Sequence, residues 1–445
     1  MSHRSRTVVV SRLQRASSGF RTAGRLRLGL AAIALGAVLG ITAGGCSGPA
    51  PLSARDRNWQ QDIAYLAREL PVVRTAGLGA VSQAAWRAAA ARLEAAVPRL
   101  TEGQTIAGLA QLVAMRRDDE TLVDFPPGPV LTLDAQWVGG GLYLLAVPAA
   151  NRGLLGARLL AVNGQPVAQV LARAGTAFGA EDPQLLSNTE TGALDDLGLL
   201  HSLGLTASAT TAVLTVKTGA GTRETVRLGA ANSGFVGWPY FFADAEPGLA
   251  HVPLPLYQQD ASQPYWLRVL PAQRAVYIKY NHCLPDSGFQ RLAAQGLALL
   301  RAHPDYRLIV DLLDNGGGDS GPIQTLISGL QADHRLRAPG RVIGLVNQFT
   351  DSSATVDAQS LKQAGVVLIG QPPADPIDQW GNEQTFRLPR SGVLIQYTTA
   401  TVNPTGTLWG IPNVVVKPTL AEILAGDDPV LTAALSYPDR RAARG

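Results

Sequence analysis

Two stretches of this chain set glycine or serine where an apolar run turns polar, and both suit a developing negative charge. In the first, Leu308-Ile309-Val310-Asp311-Leu312-Leu313-Asp314-Asn315 runs into Gly316-Gly317-Gly318-Asp319-Ser320. Three glycines after a strand let the backbone approach a ligand closely. Their N–H groups, with the helix start that follows, fit an oxyanion or another anion. A phosphate loop needs a lysine after the glycines and none is there, while a plain flexible turn meets the same pattern. In the second stretch, Gly344-Leu345-Val346 leads into Asn347-Gln348-Phe349-Thr350-Asp351-Ser352-Ser353-Ala354. A serine at a strand-to-helix junction stands at the carboxyl end of the sheet. There its own amide and the next one face a common space, as a nucleophile and its oxyanion hole require. Ser352 or Ser353 as a simple N-cap is the alternative.

Cys46 and Cys283 are the only cysteines. If Cys46 carries a lipid, Cys283 has no disulfide partner and reads as a half-buried thiol. Only the adjacent His282 could lower its pKa. The six histidines and two cysteines show no metal-ligand spacing, so neither a metal nor a cofactor is expected.

The elements that must position these residues alternate. Strands are predicted over 275–280, 307–312, 341–346 and 366–369, and helices over 289–302, 322–330 and 353–363. That order argues an α/β layer structure with a largely parallel sheet. Upstream, Trp59, Ile63, Leu66 and Leu70 recur at helical spacing, as do Trp86, Leu93 and Val97, then Ile106, Leu109 and Val113, giving three helices over about 57–117. From Val130 the period shortens to β-like runs over 141–147, 158–162, 212–216 and 224–228. Asn163-Gly164 reads equally as a hairpin turn or as the turn of a PDZ-like domain. The aromatic and proline-rich stretch from Trp238 to Trp266 reads as a linker that packs on a neighbour.

The chain has 445 residues, 46% hydrophobic and 16% charged, which is globular and long enough for two or three domains. Its net charge of +4 comes from the front, where residues 1–45 hold seven arginines and no acid. Without them 31 basic groups face 34 acidic ones, so no nucleic-acid footprint remains. The uncharged run 28–45 reads as a signal sequence, and Ala43-Gly44-Gly45-Cys46 is similar to a lipobox with Cys46 as the lipidated residue. Residues 46–56 then form a lipid-anchored tether. This places the protein in a bacterial cell envelope, held to the membrane and facing the periplasm or exterior. Cleavage without lipidation, or a retained helical anchor, stays open.

The motifs together resemble the tail-specific, C-terminal-processing serine peptidases. The resemblance rests on Asp311…Asn315-Gly316-Gly317-Gly318, Ser352-Ser353-Ala354, Ile369-Gly370, the run from Phe386 to Gly392, Gly426-Asp427-Asp428-Pro429 and Tyr277-Ile278-Lys279-Tyr280-Asn281, and it covers about 57–437. It implies a helical bundle over 57–125, a PDZ-like β-rich domain over 126–235, a linker over 236–268 and a crotonase-like ββα catalytic domain over 269–445. It implies Ser353 as nucleophile, the Gly317 and Ala354 amides as oxyanion donors, and Gly316, Gly318 and Asn281 as substrate-binding residues. The substrate would be an extended polypeptide near its C-terminus, bound by strand addition.

Two departures concern the base. Relatives with a Ser–Lys dyad carry the lysine in a glycine-containing turn that here spans 376–383 and has none; the four lysines are Lys217, Lys279, Lys362 and Lys417. Lys362 lies about two and a half turns along the helix from Ser353, out of reach. Others place a histidine after the helical bundle, where this chain has Asp118-Asp119-Glu120-Thr121, with Glu120 at the histidine position. His282 is the candidate substitute base, followed by Asp378 and Glu383. Two functions are expected from these residues: a serine-type peptidase, or a peptide-binding envelope lipoprotein that keeps the fold without catalysis.

Overall fold

The computed structural model describes residues 51–73, 81–125, 128–180, 183–230, 249–373, 380–401 and 412–438. The expected signal sequence, Cys46 and Asp378 lie outside them. Among the described residues no helix is long and apolar enough to cross a membrane.

The chain opens with helices α1 (Ala54–Val73), α2 (Gln83–Ala96) and α3 (Glu102–Ala114). Ser82 caps α2, and a Thr101–Gln104 capping box starts α3, each occupying amides that a helix start leaves open. Trp59, Ile63, Leu66 and Leu70 are buried along one stripe of α1 against α2 and α3. A short strand, β1 (Leu122–Val123), follows.

Next come β2 (Asp134–Val138), β3 (Gly141–Pro148), β4 (Arg158–Val162), β5 (Gln165–Pro166), α4 (Val167–Ala174), α5 (Pro183–Gly192), α6 (Leu197–Ser202), β6 (Thr211–Lys217) and β7 (Arg223–Gly229). They build an antiparallel sheet in the order β2-β3-β4-β6-β7. Asn163 and Gly164 both take positive φ, 48° and 76°, and turn β4 into β5, which is the hairpin reading of that pair.

The chain goes on through β8 (Leu249–His251), β9 (Tyr265–Leu270), β10 (Ala275–Tyr280), α7 (Gly288–Ala302), β11 (Arg307–Asp311), α8 (Gln324–Ala332), β12 (Val342–Val346), α9 (Ser353–Gln363) and β13 (Val367–Gly370). It continues with β14 (Trp380–Arg387), β15 (Leu394–Thr401), β16 (Val414–Val415), α10 (Leu420–Ala425) and α11 (Pro429–Ser436). The six-stranded sheet runs β16-β13-β12-β11-β10-β9, parallel from β16 to β10, with β9 antiparallel at the edge. Its strands are continuous apolar runs because both faces are covered. Val276, Ile278 and Tyr280 point to one core with Phe289, Leu297, Leu326 and Leu361; Ala275 and Tyr277 point to the other with Ile343, Val430 and Leu431. Burying Phe289 alone contributes about 2–3 kcal/mol.

One expectation is modified and one element is additional. The linker over 236–268 is not only a linker, because β8 pairs with β3 of the antiparallel sheet and β9 closes the edge of the parallel one. The stretch after β13 also holds a hairpin, β14–β15, that joins β1 in a separate three-stranded sheet rather than the parallel sheet. The hairpin turn is held to the helical bundle by the buried Asp62 of α1. Its carboxylate accepts the amides of Arg390 at 2.8 Å and Ser391 at 2.7 Å.

Candidate active site

The chemistry-bearing loops leave the carboxyl ends of β11 and β12, adjacent parallel strands, so the topology brings them side by side. Asp311 ends β11 and is fully buried. It accepts hydrogen bonds from the Tyr277 hydroxyl, from Lys279 Nζ at 3.2 Å and from the Leu313 amide at 2.8 Å. Asp314 accepts from Asn347 Nδ2 at 2.6 Å while its amide donates to Asn347 Oδ1 at 3.0 Å. Thr350 Oγ1 donates to the Leu312 carbonyl at 2.7 Å, and the Asp351 amide to the Asn315 carbonyl at 2.9 Å. The two loops are thus laced together before either meets a ligand.

Ser353 is the first residue of α9. Ser352 before it has φ 50° and ψ −128°, a conformation that costs a non-glycine residue about 1–3 kcal/mol and concentrates at functional sites. Gly317, at φ 87°, lies directly against this turn: a Cβ there would meet Ser352 Cβ at 2.7 Å and Ser353 N at 2.9 Å. The half-buried Ser353 hydroxyl donates to the Gly318 carbonyl at 2.7 Å. The arrangement places a hydroxyl at a helix N-terminus, facing a glycine backbone, as addition to a carbonyl carbon requires.

The other expected site residues are distributed as follows. The Gly317 amide donates to Asn315 Oδ1 at 2.9 Å and the Ala354 amide to the Asp351 carbonyl at 2.9 Å, so the expected oxyanion donors are both engaged inside the loops. Gly318 is exposed and Gly316 half-buried. Asn281, expected among the substrate-binding residues, follows the end of β10. It is buried, and its Nδ2 donates to the Gln263 carbonyl at 2.8 Å, fastening the loop after β10 to the segment before β9. His282 is half-buried beside it, with its amide on the Pro264 carbonyl at 2.9 Å, and the hydrogen bond of the Ser353 hydroxyl goes to Gly318 and not to His282. Cys283 is fully buried rather than half-buried, and burial pushes its thiol pKa well up, which removes it as a nucleophile.

Glu120 is buried and accepts from Gln396 Nε2 at 3.3 Å. Glu383 is exposed on β14, across β15 from the stretch that holds Glu120. Lys362 sits in the last turn of α9, at the opposite end from Ser353. Lys279 is committed to Asp311.

No family model matches this chain, and no curated protein matches it. Solved structures do. Mature CPAF aligns over 87% of this chain and 99% of its own, with a TM-score of 0.57 at 13% identity. Mature CPAF complexed with lactacystin aligns over 88% of this chain and 99% of its own, with a TM-score of 0.58 at 12% identity. The chain carries the fold of mature CPAF. Because nearly all of CPAF is matched, the likeness extends well beyond the two loops. Identity this low makes it a likeness of fold, so the chemistry rests on the residues above.

One contact between layers of the CPAF-like fold is titratable. Asp134, the first residue of β2, is pushed up to about 7 by burial, with the nearby Asp314 carboxylate adding to the effect and Gln136 opposing it. An acid whose folded pKa is raised favours its protonated form. It therefore destabilises the fold progressively as pH rises from the unfolded value toward 7, by up to about 4 kcal/mol. Asp134→Asn is expected to remove that slope, so that thermal unfolding of the variant gains on the wild type between about pH 5 and about pH 8. Parallel melting-temperature profiles for the two proteins would show that Asp134 does not titrate in this range.

Proposed function

We propose that this protein is a serine-type peptidase of the tail-specific type, cleaving extended polypeptide C-termini in the bacterial cell envelope, to which Cys46 anchors it. The observation that carries the reading is Ser353 at the start of α9, behind the strained Ser352 and pressed against Gly317. The parallel sheet with its α7, α8 and α9 layer corresponds to a crotonase-like core, and the antiparallel sheet to a PDZ-like domain. The Ser353 oxygen attacks the scissile carbonyl carbon while its proton passes to a base. The carbonyl oxygen becomes an oxyanion facing the glycine-loop and α9 amides. The C–N bond then breaks as the amine takes a proton, and water hydrolyses the acyl-enzyme. For this the hydroxyl must leave the Gly318 carbonyl and turn to a base, for which His282 is the first candidate.

The test is covalent labelling of the purified protein with a fluorophosphonate probe, located by mass spectrometry, with Ser353→Ala as control. An adduct on Ser353 that the alanine variant lacks is the expected result. A folded protein that takes no probe, with or without added peptide, would instead be a non-catalytic peptide-binding member of this fold, its serine hydroxyl permanently held by Gly318.

A further inference from the structure

Beneath the glycine loop lies a buried polar set that the reaction above does not use. Asp357 is four residues after Ser353 on α9, hence on the same side of the helix, and has no solvent exposure. Cys283 Sγ lies 3.5 Å from Asp357 Oδ2 and donates to it, and Asn315 Nδ2 donates to the same sulfur at 3.5 Å. Asp357 Oδ1 has no protein partner, and the Tyr280 hydroxyl faces the Cys283 thiol. Cys283 is in turn bonded to the loop through its backbone: its amide donates to the Gly317 carbonyl at 3.0 Å and its carbonyl accepts the Asp319 amide at 2.7 Å. Asn315 Oδ1 receives the Gly317 amide. A chain of contacts therefore runs from Asp357 through Cys283 and Asn315 to the residues that touch Ser353.

We propose that Asp357 is a positioning residue for Ser353, its carboxyl fastening the first turns of α9 to the glycine loop through the Cys283 thiol. The inference rests on Ser353 being the nucleophile. No cation neutralises Asp357 among the groups that face it, which are Tyr280 and Cys283 at the end of β10 and Asn315 and Asp319 in the loop. Burial pushes its pKa well up, with Asp319 adding to the rise, which favours its neutral form. The Tyr280 and Cys283 protons are held as well. A buried acid without a cation costs stability, and packing alone would be served better by an apolar side chain. Raising the pH until Asp357 ionises sets a charge against Asp319 and loosens the loop.

The experiment compares Ser353 labelling by the fluorophosphonate probe across pH in wild type, Asp357→Asn and Asp357→Leu. Hydrogen exchange of amides 316–319 is followed in each. Asparagine keeps the size and the acceptor without the titrating proton. It should label within about threefold of wild type and lose the alkaline fall in rate, because displacement of a reacting group, not its loss, sets the penalty. Leucine, with cooperative unfolding retained, should label about tenfold to a hundredfold more slowly and exchange the loop amides faster. Equal labelling by the leucine variant, or an asparagine variant as impaired as leucine, overturns the proposal. If wild type takes no probe, the nucleophile reading fails on its own, and unchanged loop exchange in Asp357→Leu then overturns the fastening role separately.

Discussion

Gly317→Ala is expected to abolish measurable labelling of Ser353, a loss of at least about a hundredfold, while the protein still folds. Two independent costs meet at this position. At φ 87° an alanine adopts a left-handed backbone that costs about 1–2 kcal/mol. Its methyl group would stand 2.9 Å from Ser353 N, 3.0 Å from the Asp351 carbonyl and 2.7 Å from Ser352 Cβ. Two of those atoms are backbone, so the neighbour that must move is the serine turn itself, and overpacking of this kind adds about 1–3 kcal/mol. The turn carries the nucleophile, so relief of the collision displaces Ser353 from the Gly318 carbonyl. Gly221 supplies the control: it has φ 86° and nothing within 4 Å of its would-be Cβ. Gly221→Ala should show the backbone cost alone, seen as a lower denaturant midpoint, with labelling unchanged. Wild-type labelling in Gly317→Ala would refute the close packing of loop against serine.

What could be read from the sequence follows the physics of each element. The strands of the parallel sheet were legible because burial on both faces turns them into short apolar runs ended by Asp, Asn or Gly, as in Arg307–Asp311 and Val342–Val346. Helix α9 was legible down to its first residue. Strand β9 was not, since its Tyr-Trp-Leu-Arg-Val-Leu positions are half-buried or exposed at a sheet edge and it reads as aromatic linker. The β14–β15 hairpin failed for a related reason. Its first strand, with Asn382, Glu383, Gln384 and Thr385 exposed, shows no alternation, and its partner β1 lies some 270 residues away in the chain. In the site, the triple glycine announced a close approach, and Gly317 makes one. The positive φ of Ser352 left no mark, because serine carries no preference for it. Asp357 was passed over because a charged residue four positions along a helix from a polar one ordinarily marks the solvated face. Its burial depends on Cys283 and Asn315, both remote in the chain.

Lys279 is expected to hold the platform under the loop, and Lys279→Met to destabilise the fold by about 3–5 kcal/mol near neutral pH. The ammonium has no solvent exposure, pairs with Asp311 at 3.2 Å and donates to the Leu313 carbonyl. Its charge also lowers the pKa values of Asp314 and Asp428, so one cation opposes three buried carboxyls. Burial nevertheless leaves all three above the ordinary range, Asp428 at about 7. Methionine fills similar volume, so the loss is chiefly electrostatic: without the cation each folded-state pKa rises further. A raised acid pKa penalises the fold increasingly as pH climbs above the unfolded value, so the deficit should be larger near pH 8 than near pH 5. Urea unfolding of wild type and variant at the two pH values measures this, and an equal deficit at both would show that the lysine contributes packing rather than charge. Adding Asp311→Asn to Lys279→Met removes one of the stranded carboxyls and should recover part of the alkaline deficit, a coupling visible in a double-mutant cycle.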